Sequence, residues 1–132
     1  MLDRIDIHIE VPRVDYEKLN GDRVAETSEA IRARVQVARD IQQKRFSNNG
    51  SSDIICNTNM RVGEIRQFCQ LQDEGQSLMR AAMSQLNLSA QAYHRTRSVK
   101  LVRTIADLAG SEEIQSAHLA EALQYRPKLM IG

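Results

Sequence analysis

The sequence predicts an all-α fold, a bundle of about five helices preceded by a single orphan β-strand. Three observations carry that prediction. Aromatic residues make up 4% of the 132 positions and tryptophan is absent, whereas Ala, Leu, Gln, Glu and Arg, which lose little freedom in a helix, are common. Only 2 Pro and 6 Gly punctuate the chain, too few for the many turns of an all-β domain. Most apolar positions recur three or four residues apart, the spacing of one helix face.

The strand comes first. Ile5, Ile7, Ile9 and Val11 alternate with Arg4, Asp6, His8 and Glu10 and run into Pro12, the period-two pattern of a half-buried strand. One strand alone cannot pair its backbone N–H and C=O groups, so it joins a copy of itself or a larger sheet upstream. The upstream sheet is the reading adopted. Residues 1–11 are then the last strand of a truncated preceding core, and the sequence is a fragment of a longer chain. Residues 12–27, with Pro12, Asn20, Gly21 and Asp22, read as a linker, and 28–132 as the helical domain.

Within that domain Ser28 can cap a helix to about Phe46, with Glu29 at its positive end and Ile31, Val35, Ala38 and Ile41 on an apolar stripe. Ser47 to Ser52 form a connection rich in Ser, Asn and Gly, after which Ile54 and Ile55 tack the loop onto the bundle. A short helix near 60–70 offers Ile65, Phe68 and Cys69. Another near 73–86 offers Leu78, Met79, Ala82 and Leu86. Met79 and Met83 at i, i+4 either fill core gaps or make an adaptable partner surface. Ser89 can cap the longest and central helix, with Ala92, Val99, Leu101, Val102, Ile105, Ala106 and Leu108 apolar and Gly110 as its C′ residue. Ser116 caps a last helix to about Tyr125, with Leu119, Ala122 and Leu123 inward, and Pro127 prevents its extension.

Composition and motifs exclude several functions. Lys plus Arg number 18 against 17 Asp plus Glu, a net charge of +1, so no global charge announces nucleic acid or an anionic membrane. Cys56 and Cys69 lack zinc-ligand spacing and do not suggest a disulfide framework; no metal site is expected, and a reducing, cytoplasmic location fits. No apolar run approaches the roughly 18 residues of a membrane span. His8, His94 and His118 are scattered without a nucleophile, and Glu112 and Glu113 read as loop charges rather than an acid–base pair. No glycine-rich phosphate loop follows the strand, so this stretch should not hydrolyse ATP by itself. Arg97, Lys100 and Arg103 recur at i, i+3 and i+6, either as a basic stripe for DNA or nucleotide phosphates or as a solvated face.

Three stretches carry a resemblance: Leu2-Asp3-Arg4-Ile5-Asp6-Ile7-His8-Ile9-Glu10-Val11-Pro12, Leu88-Ser89-Ala90-Gln91-Ala92-Tyr93-His94-Arg95, and Arg103 to Gly110 continuing through Leu119 to Arg126. Together they resemble the C-terminal end of the magnesium-chelatase-like AAA+ ATPases, the YifB and competence protein ComM group, over essentially the whole chain. The resemblance implies a helical lid following an upstream ATPase core, which would hold the missing phosphate loop. ATP and Mg²⁺ would belong to the parent protein and bind the fragment alone only weakly. The partners implied are the upstream core, neighbouring subunits of a homohexamer and, through the parent, DNA.

The same resemblance assigns residues. Arg4, in the Leu-Asp-Arg-Ile-Asp motif, resembles an arginine finger acting on the neighbouring subunit, where a guanidinium stabilises charge on the transferred phosphoryl group; the local alternative is a surface pair with Asp3 or Asp6. The lid arginine that senses nucleotide falls at Gln91, which can donate a hydrogen bond but no charge. From Tyr93 to Arg103 the chain takes ten steps, more than the family pattern, and two extra residues turn a helix by about 200°, which makes Arg95 the other candidate. The function implied is coupling of ATP binding and hydrolysis to subunit motion, the parent being a DNA helicase or branch-migration motor of natural transformation. Alternatives are a subunit of a true magnesium chelatase and a helical module that binds DNA without ATP.

Overall fold

Helices supply nearly all the regular structure in the computed structural model, which describes residues 7–11, 25–48, 53–84 and 88–125. In order they are α1 (Ser28–Ser47), α2 (Val62–Phe68), α3 (Asp73–Met83), α4 (Leu88–Leu108) and α5 (Ser116–Gln124), with a 3₁₀ turn at Asn57–Asn59 between α1 and α2. The expected all-α bundle of five helices is what forms. Expectations that fall on Arg4 and the start of the strand, on residues 12–24, on Leu86, on Pro127 and on the side chains of Ser89 and Ala92 lie outside the described residues.

Helix α4 is central, touching α1, α2, α3, α5 and the 3₁₀ turn. Its Val99, Val102, Ile105 and Ala106 are buried with Leu119 and Ala122 of α5, Met79 and Met83 of α3, and Phe46 of α1. Burying each large aliphatic side chain contributes about 1.5–3 kcal/mol, so this seam holds the bundle. The Met79 and Met83 pair is therefore core, at 2% and 5% exposure. Phe46 meets Phe68 edge-to-face, with ring centroids 5.7 Å apart, a favoured aromatic geometry. A parallel bridge between Leu71 and Ile114 ties the loop before α3 to the loop before α5.

The helix ends have local causes. Thr27, not Ser28, caps α1: its backbone is extended and its Oγ1 accepts the Ala30 N–H at 3.2 Å, while Ser28 is already helical. At α5 the cap is Gln115 rather than Ser116, its N–H donating to His118 Nδ1 at 3.0 Å. Gly110 ends α4 as expected, at φ +72°. There the Ser111 N–H bonds the Ala106 carbonyl and the Gly110 N–H bonds that of Asp107, the Schellman pattern that requires a left-handed residue.

Two patterns fold differently from expectation. The buried line of α1 is Ala38, Gln42 and Phe46, while Ile31 is exposed and Val35 and Ile41 are half-buried. Only the C-terminal half of α1 lies on the bundle, so its N-terminal half overhangs. Of Ile54 and Ile55, only the first tacks the loop down, at 6% exposure against 73%. Residues 7–11 carry no strand ladder among the described residues. The His8 N–H donates to the Tyr125 carbonyl at 2.6 Å, and Ile7, Ile9 and Val11 are exposed. Their alternation has no sheet to pack on within the described residues.

Candidate functional site

Helices α3 and α4 enclose a cleft of about 540 Å³. From α3 come Gln76, Met79, Arg80 and Met83, positions i, i+3, i+4 and i+7 that share one helix face. Gln91 and Arg95, one turn apart, and Thr96 line it from α4, and Ser84 closes it behind α3. The two buried methionines form an apolar floor, with exposed arginines at the mouth. The lining contains no Asp or Glu, and neither Arg80 nor Arg95 has an ion-pair partner among the described residues. Two uncompensated guanidiniums beside neutral amide and hydroxyl donors suit an anion with several oxygens. The structure thus brings both nucleotide-sensing candidates, Gln91 and Arg95, into one hollow and adds Arg80. That third residue was not legible in sequence, because its direction depends on how α3 folds back on α4.

The donor set fits phosphate and does not fit Mg²⁺, which takes oxygen ligands such as carboxylates. Among the described residues there is no group of three His, Cys, Asp or Glu able to hold a metal. Arg4 lies outside the described residues.

The second basic constellation resolves differently. Arg103 is 3% exposed: its Nε donates to Asp107 at 3.2 Å and its terminal nitrogens to the carbonyls of Ser111 and Glu112 at 2.8 and 2.9 Å. Lys100 is half-buried, its Nζ donating to the Thr58 carbonyl at 3.0 Å, and Arg97 is half-buried too. The expected exposed stripe is thereby corrected. Because α4 is wrapped on several sides, Lys100 and Arg103 turn toward neighbouring segments, and Arg103 offers no guanidinium to an outside phosphate.

What Arg103 does instead is build a buried polar hub around Asp107, itself 1% exposed. Arg45 of α1 grips that carboxylate with both terminal nitrogens, at 3.0 and 2.6 Å. Asn57 of the 3₁₀ turn donates its amide to Asp107 at 2.9 Å and to Thr104 at 3.0 Å, and its backbone N–H to Gln42 at 3.0 Å. The Arg45 guanidinium also lies 5.7 Å from the Phe68 ring centroid. No buried side-chain nitrogen or oxygen among the described residues lacks a hydrogen-bond partner, so each polar group of the hub is satisfied, with two guanidiniums sharing one carboxylate.

Other chemistry-bearing groups are structural. Cys69 is buried, its thiol pushed up to about 11 chiefly by loss of solvation, which leaves it protonated and inert at neutral pH. Cys56 and Cys69 are both free thiols. His118 serves as the cap acceptor described above. Glu112 and Glu113 are exposed, Glu113 accepting from Gln72 at 3.0 Å. No helix among the described residues is long and apolar enough to cross a membrane.

Comparison with known proteins adds the lineage. The family model described as magnesium chelatase, subunit ChlI C-terminal, matches residues 25–126, which include all five helices. The chain is 41% identical over 127 residues to the competence protein ComM of Haemophilus influenzae, covering 95% of this chain and 23% of that protein. It is 36% identical over 126 residues to the protein YifB of Escherichia coli K12, again covering 95% and 23%, and 29% identical to YifB of Salmonella typhimurium over the same shares. The chain spans 23% of the length of these curated relatives. The motifs read from the sequence, the five-helix bundle and the family match converge: the chain belongs to the magnesium chelatase ChlI C-terminal family, in the ComM and YifB group.

Proposed function

We propose that the chain is the C-terminal helical lid of a magnesium-chelatase-like AAA+ ATPase, coupling ATP binding and hydrolysis to motion between subunits of a cytoplasmic homohexamer. The observation that carries the reading is the cleft that Arg80, Gln91 and Arg95 line from two helices, with no Asp or Glu in its lining among the described residues. Arg80 and Arg95 hold phosphate oxygens from opposite walls, and Gln91 adds a neutral donor near the positive end of α4. Bound ATP supplies the phosphoanhydride whose charge redistributes on hydrolysis. Arg95 takes the cationic role that Gln91 cannot fill. A phosphate chain held by this cleft on one side and by the upstream ATPase core on the other would draw the lid toward that core as one body, because the apolar seam and the Asp107 hub join all five helices. Arg4, reaching from the next subunit, stabilises the transferred phosphoryl group, an effect of about 10³ to 10⁵ in rate where such fingers act.

For the parent we propose ATP-driven remodelling of DNA, as a helicase or branch-migration motor in natural transformation, a reading supported by the name of the Haemophilus relative, competence protein ComM. The family description favours a second reading, a subunit of a true magnesium chelatase. Stimulation of ATPase activity separates them, by DNA in the first case and by porphyrin-bearing partner subunits in the second. A module that binds DNA without ATP would need the Arg97, Lys100 and Arg103 face, and the inward direction of Arg103 and Lys100 weighs against it.

The test is ATP binding and steady-state turnover of the intact parent carrying Arg4→Ala, Arg80→Ala, Gln91→Ala or Arg95→Ala, each checked for hexamer assembly. Arg80→Ala and Arg95→Ala are expected to weaken ATP binding, and Arg4→Ala to retain binding and assembly while losing turnover. Unchanged binding in both lid variants would remove the phosphate role of the cleft, and unchanged turnover in Arg4→Ala would remove the finger.

A further inference from the structure

We infer that the cleft continues past Arg95 into a second anion subsite built by Arg66 of α2, so that the surface takes a polyphosphate chain rather than a single phosphate. The inference rests on the reading that Arg80 and Arg95 face phosphate. A second cleft of about 350 Å³ shares Gln76, Arg95 and Thr96 with the first and extends to Arg66 and Gln70. Two hollows with three lining residues in common form one trough, with Arg95 between its halves.

Three helices, α2, α3 and α4, each contribute one arginine to this trough, and neither half is lined by an Asp or Glu among the described residues. Arg34, Arg45, Arg61 and Arg103 each face a carboxylate, whereas Arg66, Arg80 and Arg95, like Arg32 and Arg39 of α1, have no such partner among the described residues; the trough differs from the α1 surface in drawing its arginines from three helices. Three exposed guanidiniums around one trough with no carboxylate among its described lining leave an excess of positive charge there, which a multiply charged anion balances better than a singly charged one. One phosphate group fills one half of the trough; linked phosphates place charge in both. Each guanidinium can grip such oxygens through paired donors. Because the three arginines come from different helices, the occupant also ties α2 and α3 to α4 and stabilises the fold by mass action.

The test is calorimetric titration of the chain with inorganic phosphate, pyrophosphate and tripolyphosphate, using wild type, Arg66→Gln, Arg80→Gln and the control Arg39→Gln on exposed α1. All these arginines are exposed, and circular dichroism checks that each variant folds. Wild type is expected to bind tripolyphosphate about tenfold more tightly than phosphate. Arg66→Gln should weaken tripolyphosphate about fivefold, the scale of one exposed charge-assisted contact, and leave phosphate within about twofold. Arg80→Gln should weaken both, and Arg39→Gln neither. If Arg66→Gln leaves tripolyphosphate binding unchanged, or Arg39→Gln weakens it equally, the second subsite is overturned, while a loss of phosphate binding in Arg80→Gln still upholds the first cleft. If wild type binds none of the three anions, the second subsite is overturned, and the first cleft stands or falls with ATP binding by the intact parent carrying Arg80→Ala or Arg95→Ala.

Discussion

Replacing Asp107 by Ala removes the anion at the centre of the hub and leaves two cations facing each other. The Asp107 side chain is fully buried, that of Arg103 is 4% exposed and that of Arg45 12%, so neither guanidinium gains enough water to compensate. Breaking a buried pair by removing one partner costs about 3–5 kcal/mol, and the amide of Asn57 loses an acceptor as well. Against a total stability of about 5–15 kcal/mol, that leaves the domain marginal, and the melting temperature should fall by roughly 10–20 °C. Urea unfolding followed by circular dichroism measures it, with Arg34→Ala as comparison. Arg34 pairs with Glu26 where both side chains are about half exposed, and its loss should leave the unfolding midpoint close to that of wild type. A triple variant, Arg45→Met, Arg103→Met and Asp107→Leu, should be less destabilised than Asp107→Ala, because it leaves no charge stranded. A cost below about 1 kcal/mol for Asp107→Ala, or a triple variant worse than the single, would refute the view that Asp107 balances buried cations.

Cys69 titrates near 11 against an ordinary value of 9.0, so between those pH values the unfolded chain has lost the thiol proton and the folded chain keeps it. Stability is unaffected by this group below pH 9 and falls by about 2–3 kcal/mol as pH rises to 11, a loss that Cys69→Ala should abolish in paired denaturation curves. At neutral pH a thiol reagent should modify half-exposed Cys56 in the native protein and reach Cys69 only on unfolding. Gly110→Ala should cost about 1–2 kcal/mol, entirely from the left-handed backbone, since an added Cβ would meet nothing within 4 Å; Gly110→Asn should cost less, and equal costs would contradict that account. Thr27→Ala removes the cap of the overhanging half of α1 and should speed amide exchange at residues 30–34, a local effect of about 1 kcal/mol, without altering exchange at 99–106 in α4.

Much of this fold could be read from local chemistry. The five helices follow from apolar spacing, and the end of α4 follows from one glycine, because both signals lie within a few residues. The hub could not be read that way. Arg45 and Asp107 stand 62 positions apart, and Asn57 sits in a loop whose Asn, Thr and Asn look like ordinary turn residues. Arg103 and Asp107 are visible as an i, i+4 pair, yet spacing does not say which face of α4 is covered. The stripe of α1 misled for a related reason, since Ile31 and Val35 keep helical register beyond the point where the bundle stops. In the candidate site, Gln91 and Arg95 were reached through the family resemblance, since nothing in their own spacing marks them as phosphate ligands. Arg80 and Arg66 required the packing of α3 and α2 against it.

The overhang of α1 gives the hub a mechanical meaning. About ten residues at 1.5 Å each make a beam of roughly 15 Å, anchored at its far end where Gln42, Arg45 and Phe46 enter the core. A tilt of about 10° at that anchorage would sweep the free tip through roughly 3 Å, comparable to the width of an atom and enough to make or break a contact. Fixed, directional ion pairs at the root keep such a cantilever stiff, so an angular change in the bundle reaches its tip amplified instead of being absorbed along the way.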